Sequence, residues 1–344
     1  MKFFLSFLFI CFFSVALYSS NDIFLLGDTI KKSKNIDTLY IDDLKSWLNL
    51  RMVAVIRSNK FSVTNKISEQ QLEYSINSSL NMGLGVSYRG LAIELLFKPP
   101  RSNNDTKEKG RSNQFSLAVK GNARKFILDM YYLQNKGFYT TNRYNFSGDT
   151  TKPADYVRRG DIKNYAGGFN FLYVFNNKKF SCAAPYSLTQ RQRKSAGSFL
   201  LGSYGLIYSI SADSVILPDT MVTIFKPEVQ FNNASSITWG IAAGYTYTVV
   251  FGKNWFANLT TVPGISIQEL YTENAITDKT YTNIALGFSM QTKFSFGYNK
   301  RHYFIGVSAA YNNYILSGSP ASQMNYRFGY FRFYYGHRFE LKKK

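Results

Sequence analysis

Long stretches of the chain alternate between apolar residues and small or polar ones. From Ile284 to Tyr298 every second position is aliphatic, aromatic, methionine or threonine, and the positions between them carry Ala, Gly, Ser, Gln or Lys. Residues 237–251 repeat the pattern. Because successive side chains of a β-strand point to opposite faces of the sheet, this pattern predicts strands with one apolar and one polar face.

The predicted strands are long and rich in aromatic residues. The stretches 237–251 and 284–299 are much longer than the strands of globular proteins, which usually have about 5–6 residues. Aromatic residues make up 17% of the chain. A strand that crosses a bilayer needs about 9–11 residues and carries aromatic side chains at both interfaces. The sequence therefore predicts an all-β protein, a transmembrane antiparallel β-barrel of a Gram-negative outer membrane. A secreted β-sandwich would explain the alternation but not the strand length.

Alternation and turn signals divide the chain into about twelve strands. The predicted strands are 51–65, 80–88, 91–98, 113–121, 125–135, 164–176, 236–251, 254–271, 281–298, 301–316 and 325–340, with one more in the irregular segment 179–210. The predicted long loops are 66–79, 99–112, 136–163, 211–235, 272–280 and 317–324. Bacterial barrels have short periplasmic turns and longer extracellular loops. The order of short and long connections fits this rule only if 179–210 crosses once, which leaves both termini in the periplasm.

The N-terminal residues predict export. Lys2 gives a basic start, and residues 3–17 form an uncharged apolar run. This layout is typical of a cleaved signal peptide over 1–19, and an uncleaved anchor helix is the alternative. We expect residues 20–50 to form a periplasmic arm and 51–344 the barrel. Apolar residues at helical spacing in 41–50 predict a short helix, with an extended arm as the alternative.

The chain carries 41 Lys and Arg against 21 Asp and Glu, which gives a net charge of +20. In an exported barrel, scattered positive charge indicates contacts with lipopolysaccharide phosphates and anionic outer-membrane lipids, and nucleic-acid binding is not expected. The residues placed in predicted turns for such contacts are Lys178, Lys179, Lys253, Lys300 and Arg301.

Strand parity also places polar side chains inside the barrel. The candidate lumen residues are Lys120, Lys293, Arg332, Arg338, Glu94, Asp129 and Gln291. Two interpretations stay open: paired charges that fill a narrow barrel, or a lumen in which unpaired cations favour a small anionic solute. The predicted function is a narrow pore or a structural envelope protein. A surface protein that binds a partner through loops 136–163 and 211–235 is the alternative.

Patterns typical of catalysis or metal binding are missing from the sequence. The two histidines, His302 and His337, have no nucleophile at a spacing that selects a catalytic group. Motifs for zinc or for nucleotide phosphates are also missing, so we expect no cofactor. Cys182 is expected to be a small buried or lipid-facing residue. We therefore predict that the protein is not an enzyme, with a lipid-acting barrel enzyme as the alternative.

Several segments resemble one protein family. They are 37–41 (DTLYI), 48–51 (LNLR), 59–63 (NKFSV), 72–77 (LEYSIN), 83–88 (GLGVSY) and 190–202 (QRQRKSAGSFLLG). Together they are similar to an uncharacterised family of secreted Bacteroidetes proteins, catalogued as domain of unknown function DUF4421. The resemblance covers most of the mature chain, and the KSAGSFLLG block is its most specific part. It supports the barrel architecture and implies no catalytic residues.

Overall fold

The computed structural model describes residues 36–67, 69–88, 91–97, 99, 105–144, 155–218, 230–319 and 322–341. The strands are β1 Ile41–Asp43, β2 Leu48–Asn65, β3 Gln71–Ser75, β4 Leu80–Tyr88, β5 Leu91–Phe97, β6 Asn113–Asn122, β7 Phe126–Tyr144, β8 Asp155–Val174, β9 Gln190–Gln192, β10 Ala196–Ser211, β11 Phe231–Phe251, β12 Trp255–Asn274, β13 Thr280–Asn299, β14 Tyr303–Ser319 and β15 Ser322–Phe339. Two helical turns are described, α1 Thr106–Lys109 and α2 Ala183–Tyr186.

Ten strands form a closed antiparallel barrel. Around the ring the order is β2, β15, β14, β13, β12, β11, β10, β8, β7, β3 and back to β2. The closing ladder between β2 and β15 runs from Asn65 opposite Ser322 to Leu48 opposite Phe339. The prediction of an all-β antiparallel barrel is confirmed. We term the end at Leu48 and Phe339 the lower end, and the opposite end the upper end.

The closed ring has fewer strands than the predicted number of about twelve, because the sector between β2 and β7 differs at its two ends. Near the upper end, β3 alone bridges β2 and β7. Near the lower end, β4 and β5 continue the sheet from β2, while β6 continues it from β7. β3 and β4 are successive parts of one pass down the barrel. The chain therefore still makes about the predicted number of passes.

The upper parts of the strands extend beyond the predicted boundaries. β7 runs to Tyr144 and β8 starts at Asp155, so most of the predicted loop 136–163 is strand. β3 likewise lies within the predicted loop 66–79. On the upper parts of β7 and β8, polar residues stand at successive positions, such as Thr140 and Thr141 or Arg158 and Arg159, which hides these parts from a search for one apolar face. The segment 179–210 contains one long crossing, β10, as predicted.

The outward face of the barrel is largely apolar, whereas the inward face carries most of the buried polar side chains together with a buried apolar cluster. The outward residues Trp239, Ile284 and Leu286 are 71%, 70% and 78% exposed, whereas the inward Thr246 and Ser295 are buried. Soluble proteins place most large apolar side chains inside, so this reversed distribution is that of a transmembrane β-barrel. Among the described helices, none has the length and apolar character needed to span a membrane.

The arm before the barrel is extended. β1 pairs with β9, with Ile41 opposite Gln192, and the side chains of Leu44 and Trp47 are buried. The predicted helix over 41–50 is therefore wrong, and the alternative of an extended arm is right. Pairing with β9 satisfies backbone groups that a helix would satisfy internally. The predicted signal peptide, 1–19, lies outside the described residues.

Candidate functional site in the barrel lumen

The candidate lumen residues predicted from parity all lie on inward-facing positions. Gln291 Nε2 donates to Asn170 Oδ1 at 2.8 Å, which joins β13 to β8. Lys293 Nζ forms an ion pair with Asp129, which joins β13 to β7. β10, β11 and β12 separate β13 from β8 around the ring. These contacts therefore cross the lumen rather than run along the wall.

Glu94 is the centre of a second group of charges. Its Oε1 accepts a hydrogen bond from Arg332 and lies 2.7 Å from Arg51 Nε, and the Arg51 side chain is 5% exposed. Two guanidinium groups on one carboxylate leave this group with an excess of positive charge. Arg51 was not among the predicted lumen residues. The signal that could have found it is the parity it shares with the inward Val53 and Val55.

Arg338 anchors the lower end of the barrel. Its side chain is fully buried. The guanidinium donates to the backbone oxygens of Leu188 at 2.6 Å and Lys300 at 2.7 Å, and to Asn299 Oδ1 at 2.9 Å. Arginine offers five N–H donors in a fixed geometry, and here they join β15, the β13–β14 turn and the segment before β10. Arg338 is therefore held in place by acceptors rather than facing open solvent.

Residues 175–195, which we term the plug, fold back into the lower end. Tyr186 Oη donates to Asn258 Oδ1 at 2.5 Å, and Ser295 Oγ donates to the Pro185 backbone oxygen at 2.9 Å. β9, within the plug, pairs with β1 of the arm. Sequence analysis missed the plug, because it has no repeating pattern of apolar residues. The plug fills the lower lumen with protein.

His302 and His337 lie beside each other with ring centroids 6.4 Å apart, whereas Cys182 belongs to the plug. Cys182 lies in the plug and is buried, and burial raises the pKa of its thiol to about 12. The thiol therefore stays protonated near neutral pH and is a poor nucleophile. His302 packs 5.1 Å from the Trp47 ring, and His337 packs 4.6 Å from the Phe339 ring. Within the described ranges, no group of three His, Cys, Asp or Glu residues could hold a metal ion.

An aromatic layer fills the upper lumen. It consists of Tyr74, Tyr204, Tyr208, Tyr314 and Tyr326, each at most 1% exposed. Ring centroids are 4.3 Å apart for Tyr208 and Tyr326, and 5.9 Å apart for Tyr204 and Tyr314. Sequence analysis missed this layer, since Tyr204 and Tyr208 lie in the segment read as irregular.

A small cavity lies beside the plug. Its lining includes Lys120, Asp129, Tyr186, Lys293 and Tyr330, and its volume is about 20 Å³, which is room for one or two water molecules. Lys120 Nζ lies 3.1 Å from the Tyr330 hydroxyl. The cavity can hold water or a small polar group next to cationic donors. It is too small for a solute of ordinary size.

Several solved outer-membrane proteins are similar to this chain. The protease OmpT of Escherichia coli is 10% identical, with 87% of this chain and 98% of that chain covered and a TM-score of 0.40. The toluene transporter TodX of P. putida is 7% identical, with 86% and 91% covered and a TM-score of 0.26. Ail of Yersinia pestis is 9% identical, with 86% and 99% covered and a TM-score of 0.21.

Comparison at the level of sequence gives a family. No curated protein matches the chain. The model of the family DUF4421, a domain of unknown function, matches residues 35–339. This match confirms the resemblance seen in the segments around Asp37, Leu72 and Lys194. The chain therefore belongs to the DUF4421 family.

Proposed function

We propose that this protein is an outer-membrane barrel that is closed along its axis and serves as a structural component of the envelope. The plug carries this proposal, because it occupies the lower lumen and is fixed there by Arg338 through the Leu188 oxygen. The cross-lumen pair of Lys293 and Asp129 and the aromatic layer above it support the same conclusion. A solute moving along the axis would have to displace all three.

The proposed location rests on the outward apolar band and on the predicted export signal. Lys178, Lys253, Lys300 and Arg301 are exposed in the connections at the lower end. With both termini in the periplasm, these cations would meet anionic head groups of the inner leaflet. The upper end would then face lipopolysaccharide. A tag in 211–235 should be reached by antibody on intact cells, and a tag at 252–253 should not.

The proposed role is not enzymatic. His302 and His337, the two histidines of the chain, pack against aromatic rings near the ends of β14 and β15. Lipid hydrolysis by the purified barrel that is lost in His302→Ala or His337→Ala would overturn this part of the proposal.

Recording in a planar bilayer tests axial closure. The refolded full chain is expected to insert and to show no stepwise conductance in potassium chloride. A shift in gel mobility on boiling, together with protease resistance, shows that protein without measurable conductance is nevertheless folded and inserted. Stable conductance steps from the wild type would contradict the proposal. The reversal potential across a salt gradient would then show whether the predicted preference for anions holds.

A further inference from the structure

The barrel wall is interrupted near the lower end, between β5 and β6. Within the described part of the chain, β5 pairs with β4 and β6 pairs with β7, but no ladder joins β5 to β6. On β6 the inward Ala118 and Lys120 are exposed as well as the outward Leu117 and Val119. On the complete β12, the inward Val262 is buried. We term this interruption among the described residues the seam, and the inward side chains of β6 are exposed beside it.

The edges of β5 and β6 that face the seam pair with no strand in the described part of the chain, so their backbone groups need other polar partners. Unpaired backbone N–H and C=O groups are strongly unfavourable in hydrocarbon, and open sheet edges do not face lipid there. Apolar outward residues border the seam on both sides: Leu95 and Phe97 on β5, and Phe115 and Leu117 on β6, are 57–74% exposed. In a bilayer the seam therefore has apolar flanks at lipid depth and polar edges between them. An amphiphile, with an apolar chain and a polar head group, fits this position.

The polar side of the seam is cationic. Lys120 Nζ lies 3.1 Å from the Tyr330 hydroxyl and 4.8 Å from the centre of that ring. The carboxylate of Asp129 is engaged by a lysine, and that of Glu94 by two arginines. No carboxylate of a described residue lies at ion-pair distance from Lys120. Lys120 shares the electrostatic influence of Glu94 and Asp129 with those cations, so two carboxylates face four cations and an anion at the seam would reduce the excess positive charge.

We propose that the seam binds an anionic single-chain amphiphile of the membrane. The head group lies at Lys120 and the Tyr330 hydroxyl, where a phosphate or carboxylate accepts charge-assisted hydrogen bonds. The alkyl chain lies on the outward side chains of β5 and β6. The cavity behind Lys120 holds only one or two waters, so the chain stays in the bilayer. This inference rests on the proposed membrane location but not on axial closure.

Photo-cross-linking of the folded full chain tests the proposal. The probe is dodecyl phosphate with a diazirine in its alkyl chain, added to protein in dodecyl maltoside. Labelled peptides, mapped by mass spectrometry, are expected from β5 and β6. Labelling should fall about ten-fold in Lys120→Met, since one hydrogen bond to a charged group is lost. Lys253→Met, which removes an exposed cation from the β11–β12 turn, is the matched control and should label like wild type.

A second variant and a competition experiment distinguish specific binding at the seam from misfolding and from binding of phosphate alone. Lys120→Arg keeps the charge and should restore labelling, which separates a loss of charge from a loss of folding. Excess unlabelled dodecyl phosphate should abolish labelling, and the same excess of inorganic phosphate should not. Even labelling around the barrel, unchanged labelling in Lys120→Met, or equal competition by inorganic phosphate would each overturn the proposal. A wrong membrane location would show separately, as failure of the wild type to insert into vesicles.

Discussion

The sector β11–β13 and the sector β3–β6 use similar strands but pair them differently. The β12–β13 ladder runs from Trp255 opposite Tyr298 to Glu273 opposite Thr280, nearly the whole length of both strands. In the other sector, the pass formed by β3 and β4 is broken at 76–79, and the ladder between β5 and β6 is missing from the described residues. Closure of the ring therefore depends on the short contact of β3 with β7 at the upper end.

A short segment around α1, which is not part of the ring, supports the sector β3–β6, which we term the irregular sector. The backbone N–H of Asn77 donates to Ser112 Oγ at 2.8 Å, and its side-chain amide donates to the Gly110 oxygen at 2.8 Å. Arg158 of β8 donates to the Lys107 oxygen at 2.9 Å. These bonds connect the break at 76–79 to β8 through α1. Long ladders hold the sector β11–β13, the regular sector, whereas in the sector β3–β6 the hydrogen bonds of single side chains add to shorter ladders.

The largest loss of stability is expected from breaking the ion pair of Asp129 and Lys293, which connects the two sides of the ring. Asp129→Asn would leave the mostly buried Lys293 ammonium without a counter-charge, which should lower the free energy of unfolding by about 3–5 kcal/mol. Urea unfolding in detergent measures this loss. The double variant Asp129→Asn with Lys293→Met should recover most of it. A double variant as unstable as the single one would contradict the ion-pair interpretation.

The next effect compares the outward faces of the two sectors directly. Phe288→Arg on β13 places a charge in lipid beside complete ladders, and near the bilayer midplane this should destabilise the folded state by about 2–4 kcal/mol. Leu117→Arg on β6 should have a much smaller effect, because the guanidinium can reach the polar edge of the seam. Unfolding in lipid vesicles gives both values. Equal losses would mean that the seam is closed in a bilayer.

Removing the anchor of the plug should have an intermediate effect. Arg338→Met leaves the Leu188 and Lys300 oxygens without this donor, which should cost about 1–3 kcal/mol. Arg338→Lys keeps a positive charge and N–H donors that can reach some of these acceptors. Its free energy of unfolding should therefore lie between those of Arg338→Met and the wild type. Limited proteolysis at 175–195 is the second measurement, and it should be faster in Arg338→Met. Unchanged proteolysis would show that β9 and α2 hold the plug without Arg338.

The regular sector could be predicted from sequence because its alternation directly reports the two faces of each strand. Parity alone placed Lys293 and Gln291 inside, and the structure puts them there. Their partners Asp129 and Asn170 lie on strands across the ring, and a strand's own pattern does not specify which distant strand faces it. The same limit hid the seam, since strand pairing depends on register with neighbours.

The plug and the aromatic layer escaped sequence analysis because they, too, depend on contacts between distant segments. Arg338 reads as one more inward cation until the Leu188 oxygen is placed beside it by the fold. Tyr208 reads as a generic aromatic until its packing against Tyr326 shows that it fills the lumen. Both depend on chain segments far apart in sequence.

The smallest effect is expected at α1, which supports the irregular sector. Lys109 Nζ lies 2.6 Å from Asp105 Oδ2, and this hydrogen bond lowers the pKa of the Asp105 carboxyl. Because the folded state has the lower pKa, the contribution of the pair is present above the ordinary Asp pKa of about 3.9. It is lost as the pH falls through the lowered value.

Both side chains are partly exposed, so the contribution should be at most about 0.5 kcal/mol. Asp105→Asn should remove this stabilisation at neutral pH. In the variant, acidification should then cause no further loss of stability through this pair. Hydrogen exchange of the 106–112 amides, compared between wild type and Asp105→Asn at pH 6 and pH 3, measures the difference. We expect the variant to exchange slightly faster at pH 6, and the difference between the two proteins to be smaller at pH 3. Equal exchange at pH 6 would show that the other contacts of α1, such as those with Asn77 and Arg158, are sufficient, and that the irregular sector does not depend on this ion pair.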